Sequence, residues 1–67
     1  MFRTIFRELR ESRGQTQASM DEYFGLSRGT VSKWENGFAD PEEELLEDIA
    51  RYFGVRVKFL THGQTDE

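Results

Sequence analysis

The sequence predicts an all-α fold, a bundle of four helices at about 2–13, 17–24, 28–35 and 42–53, followed by one short β-strand at about 55–60. Three patterns carry that expectation: an apolar stripe with helical spacing at the start, clear helix caps in the middle, and a two-residue alternation near the end. A chain of 67 residues has room for one small domain with a modest core.

Phe2, Ile5, Phe6 and Leu9 recur at i, i+3, i+4 and i+7, the stripe of an amphipathic helix, with arginines and glutamates on the other face. Gly14 is placed to end that helix near Arg13. Thr16 is a cap for a second helix, whose inward residues are Met20 and Tyr23 or Phe24. Gly25 supplies a turn, Ser27 caps a third helix, Val31 and Trp34 point inward, and Asn36-Gly37 stop it. Two short helices around a tight glycine turn have the geometry that lets one of them enter a DNA major groove.

The fourth helix has an explicit start: Asp40 as cap, Pro41 in the first position, and Glu42, Glu43 and Glu44 in the first turn against the positive end of the helix dipole. Leu45, Leu46, Ile49, Ala50 and Phe53 form its apolar face, and Gly54 ends it. Beyond Gly54 the period changes. Val55, Val57 and Phe59 alternate with Arg56 and Lys58, the rhythm of a half-buried strand; a short fifth helix is the competing reading. A lone strand leaves an unpaired edge, so it is expected to pair with its copy across a homodimer, with Val55, Val57 and Phe59 as dimerisation residues.

Composition narrows the function classes. The chain has no cysteine and one histidine, His62, which reads as solvated; neither disulfides nor a metal site is expected, and no cofactor. There is no apolar run suited to a membrane span and no signal-peptide pattern, so the expected location is cytoplasmic with no membrane partner. No Gly-rich phosphate loop, paired metal ligands or nucleophile–histidine arrangement occurs, so no catalytic residue is expected. The net charge of −4 is unevenly spread: residues 1–34 hold six basic and four acidic side chains, residues 35–67 three basic and nine acidic. Such a molecule can turn a mildly basic face to phosphate, or both halves can be plain solvated surface.

Several elements taken together make residues 5–55, about three quarters of the chain, resemble the Cro/C1-type (XRE) helix-turn-helix family of bacterial and phage regulators. They are Leu9-Arg10, Thr16-Gln17, the Gly25 turn, Ser27 to Ser32, Trp34-Glu35-Asn36-Gly37, Pro41 and Phe53-Gly54-Val55. The resemblance implies a lambda-repressor-like bundle over residues 1–61, with 62–67 as a flexible tail, and a third helix that reads bases in double-stranded DNA. The stretch Gly54 to Leu60 also looks like a subset containing kinase-toxin antitoxins, whose C-terminal strands pair across the dimer.

On that basis Arg28, Gly29, Ser32 and Lys33 are the base-reading candidates; Arg28 and Lys33 can donate to guanine O6 and N7. Gly29 either lets the backbone approach closely or merely weakens the helix. Gln17, Ser27, Thr30 and Asn36 are the phosphate-contacting candidates, although Ser27 is also a cap and Asn36 a helix terminator. In the family, residues at the places of Arg10 and Glu35 form a structural ion pair between the first and third helices, and Trp34 is read as core. Asp21 departs from the alanine usual in the family and needs donors, for which the free N–H groups opening the third helix are candidates. Phe38 and Ala39 replace basic residues often found in the following loop; fewer phosphate-neutralising charges imply a shallow salt slope, and Phe38 suits an interface. The function implied is a homodimeric autorepressor on a palindromic operator. The alternative is an antitoxin or anti-regulator module whose acidic C-terminal half binds a second protein, a toxin or regulator.

Overall fold

The computed structural model describes residues 1–63, which form five helices: α1 (Phe2–Ser12), α2 (Gln17–Tyr23), α3 (Thr30–Glu35), α4 (Glu43–Phe53) and α5 (Val57–His62). No strand occurs among the described residues.

The stripe of α1 is the floor of the core. Phe6 is fully buried at its centre, stacked on Phe2 at 5.5 Å between ring centroids and meeting Trp34 and Phe53 edge-on at 5.6 and 5.8 Å. Edge-on contacts of this kind are worth about 0.5–1.5 kcal/mol each beyond the area they bury. Met20, Val31, Ile49, Ala50 and Leu60 complete the core, so every helix contributes to it. Of the α2 residues read as inward, Met20 is buried and Phe24 half-buried, whereas Tyr23 is exposed. Trp34 is core, 2% exposed.

Thr16 caps α2 in a reciprocal box: its Oγ1 accepts from Ser19 N–H at 3.0 Å, and its own N–H donates to Ser19 Oγ at 3.1 Å. The turn to α3 closes through Gly25 at φ +68°, with Leu26 N–H donating to Asp21 O at 2.8 Å.

Two helix starts lie later than expected. Ser27 does not cap α3, which opens at Thr30 after Gly29, so Arg28 and Gly29 belong to the turn that leads in. Asp40 and Pro41 do not open α4 either; Glu42 occupies the cap position and the helix starts at Glu43. Pro41 instead lines a recess with Met1, Phe2, Leu46 and Thr61, extending the loop across the ends of α1 and α5. Glu43 and Glu44 still occupy the first turn of α4, and Gly54 caps its other end at φ +70°.

The expected strand at 55–60 is a helix, and the pairing of Val55, Val57 and Phe59 as a strand across a dimer falls with it. The alternation of those residues is real, but Val57, Leu60 and Thr61 also fit i, i+3, i+4. Leu60 decides between them. It is fully buried where α5 packs on α1 and α4, and the strand would have put it on the face opposite Phe59. A helix also satisfies its backbone internally, which a single strand cannot. Val55, Val57 and Phe59 are half-buried against the rim of the core. In the segment read as a tail, His62 is the last residue of α5 and Gly63 its cap; residues 64–67 lie outside the described residues.

Candidate nucleic-acid interface

α3 has six residues, too few to hold a conformation on its own, and its position is fixed by what grips its ends. At the N-terminal end the grip is Asp21. Its Oδ2 accepts from Gly29 N–H at 2.9 Å and its Oδ1 from Val31 N–H at 2.8 Å, with the residue 6% exposed. The aspartate therefore replaces a local cap with one supplied by α2, and a carboxylate at a helix N-terminus is electrostatically favourable. Gly29 has φ +89°, and nothing lies within 4 Å of where a Cβ would be. The glycine is needed for the left-handed turn that aims its N–H at Asp21, a reason different from either reading of it above.

At the C-terminal end the grip is Glu35, whose side chain is fully buried. Arg10 donates to it twice, from Nε at 2.7 Å and Nη2 at 3.0 Å, and spends Nη1 on the carbonyl of Gln15 at 2.8 Å. Gln17 Nε2 donates at 3.0 Å and Arg7 Nε at 3.2 Å, both to Oε1. One carboxylate thus ties α3 to α1 and α2. Burial pushes the Glu35 carboxyl up, but the hydrogen bonds from Arg10, Gln17 and Arg7, together with the Arg10 charge, outweigh it and hold the group below the ordinary carboxylate range. Arg10 is raised in return, chiefly by its hydrogen bond to Glu35, against the opposing effect of burial. Among the described residues no buried side-chain nitrogen or oxygen lacks a partner.

With its back so held, α3 turns one face outward. Val31, Trp34 and Glu35 are buried; Arg28, Lys33 and Asn36 are exposed, and Gly29, Thr30 and Ser32 are half-buried between the two sets. Arg28 and Lys33 make no ion pair among the described residues, so both cations are available on that face. Ser27 is exposed in the turn ahead of α3. Asn36 uses Nδ2 on Ser32, reaching its carbonyl at 2.9 Å and its Oγ at 3.2 Å, so these two polar residues are already joined along the face. Gln17 opens α2 with its amide nitrogen on Glu35, one of that nitrogen's two N–H donors being spent there.

Sequence reasoning missed two participants. Arg13, which the sequence offers as solvated surface or as a reach to the DNA backbone, donates to the carbonyls of Tyr52 and Phe53 at 3.5 and 3.3 Å and so closes the C-terminal end of α4. Nothing local signals a partner 40 residues away. Arg7 was read only as part of the polar face of α1; its spacing of three residues from Arg10 was the available clue. No group of side chains suited to holding a metal ion occurs among the described residues, and none of their helices is long and apolar enough to cross a membrane.

A short helix pinned from behind, entered through a tight turn and polar in front, defines the helix-turn-helix class, and residues 6–60 match the family model described as helix-turn-helix. The chain belongs to that family, one of transcription regulators and not of enzymes. It is 33% identical over 63 residues, 94% of its length, to the HTH-type transcriptional activator BcrR of Enterococcus faecalis, of which it covers 31%. It is also 33% identical over 69 residues, 98% of its length, to YonR, an HTH-type transcriptional regulator derived from the SPbeta prophage of Bacillus subtilis, covering 64% of that protein. To RstR, the cryptic phage CTXphi transcriptional repressor of Vibrio cholerae, it is 30% identical over 60 residues, 90% of this chain and 54% of that one. The chain thus spans from under a third to under two thirds of the length of these relatives. No solved structure matches it.

Proposed function

We propose that this chain is a sequence-specific DNA-binding transcription regulator, a homodimeric repressor that inserts α3 into the major groove at each half of a palindromic operator. The observation that carries this reading is the division of α3 into a buried back, held by Asp21 and Glu35, and an outward face bearing Ser32 and Lys33, with Arg28 exposed in the turn that leads into it. In this reading Arg28 and Lys33 donate to guanine O6 and N7, and each good bidentate contact contributes about 1–3 kcal/mol of discrimination. Ser27 and Thr30 donate hydroxyls to phosphate, Gln17 and Asn36 flank the helix at its two neighbouring ends, and the Gly29 turn admits the backbone closely.

Because the C-terminal segment is helical, the dimer of this reading is not joined by strand pairing. Phe38, 81% exposed in the loop after α3, is the apolar residue that a dimer contact would cover. Two copies docked on one duplex face place their reading helices about 34 Å apart. Repression follows from occupying DNA that polymerase needs; the RstR relative is named a repressor and the BcrR relative an activator, so the sense of regulation rests on that steric argument.

The test is fluorescence-anisotropy binding to DNA from immediately upstream of the gene, against a scrambled duplex of equal length, followed by footprinting and a reporter fusion. The expected result is tighter binding to the upstream DNA, a two-fold symmetric footprint and reduced reporter output. Equal binding to both duplexes, from this and every other upstream fragment of the genome, would contradict sequence-specific recognition.

A further inference from the structure

The Glu35 carboxylate takes hydrogen bonds from two guanidiniums, and the two are engaged to different degrees. Arg10 faces Glu35 with two hydrogen bonds, spends its third nitrogen on Gln15, and has a side chain only 10% exposed. Its Nη2 also lies 3.7 Å from the Glu11 carboxylate, so Arg10 is shared between two anions, and Gln17 adds a neutral donor to Glu35. Arg7 brings a second positive charge to the same oxygen through Nε alone. Its side chain remains 49% exposed, and no hydrogen bond among the described residues uses its two terminal nitrogens. A half-exposed guanidinium fixed at Nε, with both terminal nitrogens uncommitted, can receive a planar or tetrahedral oxyanion.

Arg3 lies one turn before Arg7 on the same face of α1. Its head group lies against Gly37: a Cβ built there would collide with the Arg3 guanidinium. The two arginines therefore border the C-terminal end of α3, Arg3 at Gly37 and Arg7 at Glu35, and Arg7 shares its carboxylate oxygen with Gln17. Asn36 stands between Glu35 and Gly37 in the chain, and Gln17 and Arg7 meet on the same Glu35 oxygen, so two of the phosphate-contacting candidates adjoin this pair.

We infer that Arg7 and Arg3 form a phosphate clamp on α1 that grips the DNA backbone beside the C-terminal end of α3, with Glu35 orienting Arg7. The inference rests on the DNA-binding reading and adds to it a site on a helix that has no part in base reading. It also offsets the lack of basic residues in the loop at Phe38 and Ala39, where phosphate-neutralising charge is missing. A clamp of this kind contributes affinity and salt dependence without sequence preference.

The test is the salt dependence of operator and scrambled-duplex binding for the wild-type chain and for R7Q, R3Q, R7K and R51Q. Each neutralised phosphate contact is expected to lower the slope of log affinity against log salt by about 0.9. R7Q and R3Q should each lose about that much on both duplexes, leaving the operator-to-scrambled ratio unchanged. R7K should keep the slope and lose several-fold in affinity, because lysine keeps the charge without the planar fork. R51Q is the control for charge at a distance: Arg51 is 75% exposed on α4 and paired with Asp48, and its loss should leave the slope as in wild type. Circular dichroism melting separates packing from binding. A lower melting temperature for R7Q with a wild-type slope makes Arg7 a structural residue and overturns the clamp, as does an equal loss of slope in R51Q. Wild-type protein that binds no DNA at any salt concentration overturns the clamp and the DNA-binding reading together; wild-type binding with R7Q and R3Q unchanged overturns the clamp alone.

Discussion

The two ends of α3 are both held by buried carboxylates, and the two grips work differently. Asp21 stands at the N-terminal end, where unpaired backbone N–H groups already favour negative charge, and two of those groups satisfy it without a counter-ion. Glu35 stands in the last turn of the same helix, where the carbonyl ends disfavour an anion, and it is surrounded by two guanidiniums and an amide. One end is solved by backbone geometry, the other by imported charge. α3 is consequently aimed by residues behind the face it presents.

Substitutions that break this contrast should rank by what they leave stranded. E35A leaves Arg10 buried without its partner, and removing one member of a buried pair costs about 3–5 kcal/mol. That is a large share of what a domain of this size possesses, so urea unfolding should show a protein close to its limit. The double variant R10M/E35L should be much less destabilised than E35A, because no charge is then stranded; an equal loss in both would mean that the pair contributes chiefly by packing. D21A should cost less, about 1–3 kcal/mol, since it orphans hydrogen-bond donors and not an ion. D21N, which keeps one acceptor, should fall between D21A and wild type in the same urea titration. G29A should cost about 1–2 kcal/mol through the left-handed backbone alone, as there is open space for the methyl group; G29N should recover part of it, and an equal cost for both would point to a close contact instead.

The gentlest probe of the comparison is pH. Glu35 is held below its ordinary value in the folded chain, so its contribution to stability is complete above the unfolded carboxylate value of about 4.3 and is lost as pH falls through the depressed folded value. E35Q should therefore show a flatter decline of urea stability than wild type through the acid range. A parallel decline in the two proteins would remove Glu35 from the acid response.

The sequence patterns reached these grips unequally. Thr16, the Phe2–Leu9 stripe, the inward Trp34 and the Gly54 stop are local signals, readable within about two helical turns, and the structure carries all of them. The need of Asp21 for donors was legible because a buried aspartate in a helix must find some; that it replaces Ser27 as the cap was not, since Gly29 lies eight residues downstream. The start of α4 was misplaced because Asp40-Pro41 has the form of a cap yet packs as loop against the ends of α1 and α5. The last segment was misread because over six residues periods of two and of three to four overlap. Leu60, the residue that separates them, is decided by the packing of α5 on α1 and α4, which only the tertiary structure defines. Arg7 and Arg13 escaped for the same reason: an arginine on a polar face looks solvated until a distant carboxylate or carbonyl is brought to it.

The central claim is that α3 is held from behind and reads DNA with its front, and charge reversal on that front tests it most directly. The account predicts that R28E/K33E unfolds in urea within about 0.5 kcal/mol of wild type, as surface substitutions do, while its preference for operator over scrambled duplex disappears in the anisotropy titration. An operator preference that survives the double reversal would contradict the account.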